Sequence, residues 1–384
     1  MHNNSYLELD GAALEKNIHF LRKHFGNKVV ISSVVKGNAY GHSIESFVPL
    51  ALAVGIDHFS VFDSHEARRV KSVSNDKTTV MIMGWMDNGA DMKWAIENEV
   101  EFFIFEKSRL QAAANTARKL RKKAIIHIEV ETGMNRTGFD TVELPRLFEF
   151  LKKNADYLIL KGLCTHYAGA ESIANYFRIQ KQIEKYNNIY QRFCDASLKP
   201  ILKHSACSAA AMIYPETRMD MVRIGIMQYG LWPSSEVMVN YFNSRKKTVD
   251  PLRRVISWKS QIMSVKKIKR GEFIGYGTSY MAGANMKIAV VPIGYSHGYN
   301  RSLSNVGRVL INGERCVVIG NINMNMMVVD VSELLHLSVG DEVVLIGRQD
   351  NLEISIASFS DYSNLLNYEL LTRIAADIPR KIKL

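Results

Sequence analysis

The sequence predicts an α/β chain: a (β/α)8 TIM barrel followed by a mainly β C-terminal domain. Three observations point to it. From residue 10 to about 235, short apolar runs alternate with helical stretches, and eight such runs occur. Past Trp232-Pro233-Ser234 the helical stretches give way to closely spaced strand-like runs. Parallel strands need crossover connections, usually helices, so eight strand–helix units in succession describe a barrel. The barrel is expected over 10–240 and the β domain over 245–384, with residues 1–9 free to pack with the second.

The elements follow in order. Asp10 is placed to cap a first helix with Leu14, Ile18, Leu21 and Phe25 on one face. The strand candidates are Val29–Val35, His58–Phe62, Thr78–Met83, Glu101–Phe105, Ala124–Val130, Leu158–Thr165, Pro200–His204 and Met219–Ile224. Helix-like segments separate most of them, including Ser64–Lys71, Lys107–Arg121, Leu144–Lys153 and Ile173–Phe193. In the second domain Val255–Val265, Lys287–Pro292, Arg308–Ile311, Cys316–Ile319, Met326–Val331 and Glu342–Ile346 read as strands. Asn312-Gly313 is a hairpin turn signal, because both residues tolerate positive φ. Helical segments are expected around Ile354–Ser358 and Leu365–Ala375.

Composition narrows the function classes. A chain of 384 residues with 47% hydrophobic and 23% charged residues has an ordinary globular balance and can bury a sizeable core. Its longest apolar stretch, Phe47 to Ile56, is about half the ~20 residues needed to cross a bilayer, so no membrane partner is expected. Cys164, Cys194, Cys207 and Cys316 show no CxxC spacing, which suits free thiols in a reducing, cytoplasmic setting. The net charge of +11 sits largely in short runs such as Lys119–Lys123, Arg245–Lys247 and Lys266–Arg270. No aromatic interleaving or zinc-ligand spacing accompanies these runs, so neither a nucleic-acid partner nor a metal is expected.

The chemistry is carried by Val34-Val35-Lys36-Gly37-Asn38-Ala39-Tyr40-Gly41-His42. A buried strand here delivers an amine to a glycine-punctuated turn. Desolvation lowers a lysine pKa and exposes the free amine that condenses with an aldehyde cofactor. Other polar residues fall at later strand ends, where barrel enzymes place their chemistry: Arg136, His166, Ser208 and Arg223. Singly, each has a plainer reading. His166 could be a bonded core histidine, Ser208 a helix cap and Arg223 a surface ion pair. Together they place an amine, two guanidiniums and a hydroxyl on one rim.

The nonapeptide closely resembles the pyridoxal-phosphate lysine motif of the alanine racemase family, and the resemblance runs from Glu8-Leu9-Asp10 to Ile378-Pro379-Arg380. It implies a pyridoxal 5'-phosphate cofactor joined to Lys36 as a Schiff base. Tyr40, Ser208, Gly225, Ile226 and Tyr368 would form the phosphate cradle. His166 would pack against the pyridine ring, Arg223 would face its nitrogen, and Arg136 would bond the phenolic oxygen and the substrate carboxylate. Tyr276 in Gly275-Tyr276-Gly277 resembles the second base beside Lys36, and Tyr295 and Met324 the substrate-side contacts. In that family these three come from the partner subunit, so a homodimer with shared active sites is implied. D-alanine supply for cell-wall synthesis is a further implication.

Several positions depart from the family. Glu129 stands where many relatives carry a carbamylated lysine, and it offers a carboxylate that could orient Arg136. Glu131 replaces an Asp and Cys207 an Asn. At the substrate entrance His297 and Asn325 replace Asp residues, while Asn321 and Asp377 replace Arg residues. The expected activity is therefore alanine racemisation, with a broader-specificity, serine or basic amino-acid racemase as the alternative. A decarboxylase would want a carboxylate in place of Arg223 to protonate the ring. A non-catalytic cofactor-binding protein would lack the domain that carries Tyr276.

Overall fold

The computed structural model describes residues 4–245, 249–356 and 367–383. Strand β1 (Ser5–Asp10) leads into a helix, Gly11–Phe25, whose buried face includes Leu14, Ile18, Leu21 and Phe25 as the periodicity predicts. Eight parallel strands follow: β2 (Val30–Val34), β3 (His58–Val61), β4 (Thr79–Ile82), β5 (Glu101–Ile104), β6 (Ala124–Glu129), β7 (Leu158–Cys164), β8 (Leu202–His204) and β9 (Met221–Ile224). Each lies inside a stretch expected from the sequence. Their order is β8-β7-β6-β5-β4-β3-β2-β9. The two ends of that order meet: the Arg223 N–H donates to the Ala206 carbonyl at 2.9 Å, and Cys207 bridges Arg223 in parallel. The result is a near-closed barrel.

The strands are apolar on both faces, as parallel strands covered by helices must be. Val80, Met81, Ile82, Phe102 and Ile104 are fully buried. Met81, Phe103, Cys164 and Met221 form one cluster in this core. Polar residues interrupt it at His58, Glu101, His127 and His204, all buried within strands.

The remaining strands are β10 (Ile256–Gln261), β11 (Ser264–Ile268), β12 (Met286–Val291), β13 (Arg308–Ile311), β14 (Glu314–Ile319), β15 (Met327–Asp330), β16 (Glu342–Gln349), β17 (Leu352–Ile354) and β18 (Arg380–Lys383). They form a sheet ordered β11-β12-β15-β14-β13-β16-β10-β1-β18, with β17 on β16. The chain divides into two compact units, one holding Ala13–Lys36 and Val48–Arg253, the other the residues up to Ala12, Gly37–Phe47 and Arg254 onward. Strand β1 thus pairs antiparallel with β10 and parallel with β18. The β13–β14 hairpin turns at Asn312 (φ 49°) and Gly313 (φ 77°), both in the left-handed region that a two-residue primed turn requires.

Two expectations need correction. Val255–Val265 is not one strand, because the chain changes partners at its middle. The Ile262 N–H donates to Asp341 O and the Met263 N–H to Val290 O, so β10 stays on β16 while β11 moves to β12. Ile354 ends β17 instead of opening a helix, since β17 folds back antiparallel on β16. Ile356 is helical; residues 357–358 of that expected helix and 365–366 of the one expected at Leu365 lie outside the described residues, and the last described helix is Asn367–Arg373. Residues 246 and 247 of the basic run Arg245–Lys247 also lie outside them. No described helix is long and apolar enough to cross a membrane.

Candidate active site

Lys36 follows directly on β2, after the fully buried Val35. Residues 37–40 then wind through left-handed backbone, with φ of 62°, 55°, 54° and 51°. Such a turn costs L-residues roughly 1–2 kcal/mol each, and strain of this kind concentrates at functional sites. Gly41 closes the turn at φ 81°, where a Cβ would lie 2.0 Å from the Leu371 carbonyl oxygen. Solvent still reaches the Lys36 side chain. Even so, the protein packed around its amine, and next the guanidinium charge of Arg136, lower its pKa below the usual lysine value; Arg223 adds to this and Glu66 opposes it.

Arg136 rides on the loop after β6, and two carboxylates shape that loop. Glu131 accepts the N–H groups of Gly133 and Asn135, the latter at 2.8 Å. Glu129 accepts the Thr137 hydroxyl at 2.8 Å, and its backbone carbonyl takes the Phe139 N–H. Among the described residues Glu129 makes no ion pair with Arg136. The two feel each other only through charge, and burial keeps the Glu129 carboxyl above its ordinary range. Glu129 therefore fixes the residue next to Arg136 and not the guanidinium itself, which changes the expectation drawn from the sequence.

Arg223 is buried on β9 and tightly held. Its Nη1 donates to His204 Nδ1 at 2.5 Å and to His204 O at 3.1 Å; its Nη2 donates to Thr165 O at 2.7 Å and Ser205 O at 3.2 Å. No described group takes its Nε–H. Half-buried His166 follows β7, and burial and then the charges of Arg223 and Arg136 push its pKa down to about 3. It is a neutral ring at any working pH. Ser208 opens a short helix, Ser208–Ile213, and its hydroxyl accepts the Gly225 N–H at 3.1 Å. Ile226 opens a 3-10 turn, whose first N–H groups have no acceptor within the turn.

This donor set fits the cofactor that the resemblance implies. A depressed amine at Lys36 suits an aldehyde, the unengaged Nε–H of Arg223 suits a pyridine nitrogen, and the Ser208 hydroxyl with the Ile226 turn suits a phosphate. Tyr40 and Tyr368 lie in the other unit, edge to face with ring centroids 6.4 Å apart.

The remaining candidates stand on loops of that same unit. Tyr276 opens a 3-10 turn after Gly275 and is 75% exposed; Tyr295 is 43% and Met324 56% exposed. Asn321 Nδ2 donates to the Tyr276 carbonyl at 2.9 Å. The Tyr295 N–H donates to Asn323 O, and the Ser296 N–H and hydroxyl both donate to Met324 O, so Tyr295 and Met324 are tied together. Asn325 Nδ2 donates to the Ser296 hydroxyl at 3.0 Å, and His297 Nδ1 accepts the Gly294 N–H at 3.2 Å. Asp377 is exposed. Asn321 and His297 thus bond turn backbone, and Asn325 a side-chain hydroxyl.

Sequence reasoning missed His204, His127 and Glu101. The signal was available: histidines and a glutamate inside strands that otherwise read as apolar.

Comparison with known proteins gives one consistent answer. The model of the alanine racemase N-terminal domain matches residues 9–233, and that of the C-terminal domain matches 255–382. The alanine racemase of Leptospira interrogans is 30% identical over 379 residues, covering 98% of this chain and 95% of that protein. The solved alanine racemase of Clostridium difficile 630 has a TM-score of 0.90 at 27% identity, covering 100% of this chain and 96% of that one. A histidine racemase from Leuconostoc mesenteroides has a TM-score of 0.88 at 25% identity, covering 100% and 99%.

Proposed function

Because the chain belongs to the alanine racemase family, which depends on pyridoxal phosphate, we propose that this racemase interconverts L- and D-alanine using Lys36 and Tyr276 as its two proton-transfer groups. The observation that carries this reading is the Lys36 amine, its pKa lowered by burial and by the charge of Arg136 and Arg223. When bound, pyridoxal phosphate supplies an electron sink that acidifies the substrate Cα–H.

The chain's own groups do the rest. Lys36 Nζ takes or returns the proton on one face of Cα, and the Tyr276 hydroxyl does so on the other. Arg136 clamps the substrate carboxylate. Ser208, Gly225, Ile226, Tyr40 and Tyr368 hold the phosphate. His166, a neutral ring, covers the cofactor face without adding charge. Arg223 offers a cation that does not readily give up its proton. Arg223 would therefore leave the ring nitrogen of a bound cofactor unprotonated, so that the proton would be returned to Cα and transamination limited.

Lys36 and Tyr276 are assigned to different copies of the chain. Tyr276, Tyr295 and Met324 are exposed on their own unit, as groups reaching a neighbour's site must be. The unit of function is then a head-to-tail homodimer. The four free cysteines suit the cytoplasm.

A second reading, wider substrate range, is favoured by one observation. Asn321 and Asn325 are uncharged carboxamides that donate to the Tyr276 carbonyl and the Ser296 hydroxyl, and neither position presents a charge at the entrance. Alanine, serine, histidine, lysine and arginine, each supplied as the L-isomer with chiral analysis of the product, separate the readings. Alanine fastest is expected. No D-product from any of them would overturn the racemase assignment.

A further inference from the structure

Behind Arg223, an unbroken line of buried polar groups crosses the barrel interior. His204 Nδ1 faces Arg223 Nη1 at 2.5 Å, His204 Nε2 faces His127 Nδ1 at 2.8 Å, and His127 Nε2 faces Glu101 Oε2 at 2.8 Å. Glu101 is the first residue of β5, at the end of the barrel opposite the strand termini that carry the site. His58 Nε2 lies 3.4 Å from the same oxygen, with its Nδ1 2.9 Å from the Ser32 hydroxyl, and Lys161 Nζ lies 3.7 Å from Glu101 Oε1.

The line has only one consistent polarity. A guanidinium can only donate, so His204 Nδ1 must accept and its proton sits on Nε2. That proton is donated to His127 Nδ1, whose own proton therefore sits on Nε2 and goes to the Glu101 carboxylate. Both imidazoles are neutral. Burial, foremost, holds the pKa of each below the usual histidine value. Burial alone would raise the Glu101 carboxyl, but the donors on His127 and His58 outweigh it and hold it well below the ordinary range. Space for the middle bond is made by Gly162, where a Cβ would lie 2.1 Å from His127 Nδ1 and 2.9 Å from His204 Nε2.

We propose that Glu101 is a positioning residue for Arg223, acting through His127 and His204: by accepting the His127 proton the carboxylate favours the same tautomer on both rings that the guanidinium requires, and His204 in that tautomer holds the guanidinium with its Nε–H free. This deepens the reading of Arg223 as the partner of the cofactor's ring nitrogen and rests on it. A wrong tautomer at His204 would place N–H against N–H and turn the guanidinium away.

The test uses the full-length protein, 15N-labelled at histidine, with and without pyridoxal phosphate. Two-bond 1H–15N correlations distinguish the tautomers, with His127 and His204 assigned by their loss in His127→Gln and His204→Gln. Both rings should be neutral with the proton on Nε2 in the cofactor-free wild type. Glu101→Gln keeps an oxygen acceptor and should keep this pattern. Glu101→Ala should mix the tautomers at both rings, and Gly162→Ala should do so at His204 while retaining every ionisable group. In the loaded enzyme kcat should then fall roughly 10- to 100-fold with little change in KM, the cost of a misaimed group.

An imidazolium or an Nδ1–H tautomer at either ring in the wild type would overturn the proposal. So would an unchanged His204 in both Glu101→Ala and Gly162→Ala. Lack of racemisation by the wild type would fall on the proposed function instead, because the cofactor-free spectra judge the relay by themselves.

Discussion

Arg223 and Tyr276 represent two ways of presenting a polar group. Arg223 is buried in its own barrel, with four hydrogen bonds donated by its terminal nitrogens and a line of histidines behind it. Tyr276 sits on a turn of the β unit, three-quarters exposed, its backbone pinned by Asn321 and its ring left outside. In the proposed site the barrel half would be set by the fold of one chain. The loop half has a fixed backbone and exposed side chains, which is what a surface offered to another copy requires. On that proposal, preorganisation and assembly would be divided between regions of the same chain.

The comparison can be broken most forcefully at the two proposed proton-transfer groups. Lys36→Ala and Tyr276→Phe should each lower kcat for alanine by at least about a thousandfold, since each removes one of two obligatory groups. Only Lys36→Ala should abolish the covalent label that borohydride fixes on the wild type. Near-normal turnover by Tyr276→Phe would remove the loop half from the chemistry.

Acid should expose the barrel half next. His166 (its pKa down to about 3), His127 and His204 are all held neutral, chiefly by burial. Below the unfolded histidine value of about 6.5, the unfolded chain binds protons that the folded chain does not. Stability therefore falls as pH drops, by up to ~1.4 kcal/mol per unit for each such ring. Glu101, with its folded pKa depressed, adds stability that is present above the unfolded carboxyl value and is lost below it. A denaturant series from pH 7 to pH 5 should show this steep loss, and a flat profile would mean that these rings are solvated.

Smaller changes sharpen the picture. Thr137→Val and Glu129→Gln should each raise KM for alanine about tenfold, or ~1.4 kcal/mol, while leaving cofactor affinity unchanged. If instead Glu129→Gln were severe and Thr137→Val silent, the Glu129 charge on Arg136 would be what matters. The smallest effect belongs to Asn321→Ala, which loosens the Tyr276 turn by one hydrogen bond, ~1 kcal/mol, and should lower kcat a few-fold.

Much of this was legible beforehand. The eight strands, the rim residues and the hairpin at Asn312-Gly313 each carry a local signal: an apolar run, a polar residue at its end, a residue pair that accepts positive φ. The partner switch at Ile262-Met263 carries none, because continuous strand character cannot reveal which neighbour a strand pairs with. Nor could spacing show that Glu129 reaches Thr137 and not Arg136, which depends on how the loop from Glu131 to Phe139 folds back. The His204–His127–Glu101 line was hidden for a related reason. Its members lie far apart in sequence and meet only when strands β5 to β8 curl into a barrel.

The claim that the two halves come from different copies is tested most directly by subunit exchange. Lys36→Ala and Tyr276→Phe proteins, each nearly inactive, are mixed, allowed to exchange, and assayed for D-alanine formed from L-alanine. In a head-to-tail dimer every hybrid holds one site with both lesions and one with neither, so an equal mixture should recover about a quarter of the wild-type rate. Exchange demonstrated by differential labelling with no recovery of activity would place Lys36 and Tyr276 of each site on a single chain and contradict the account.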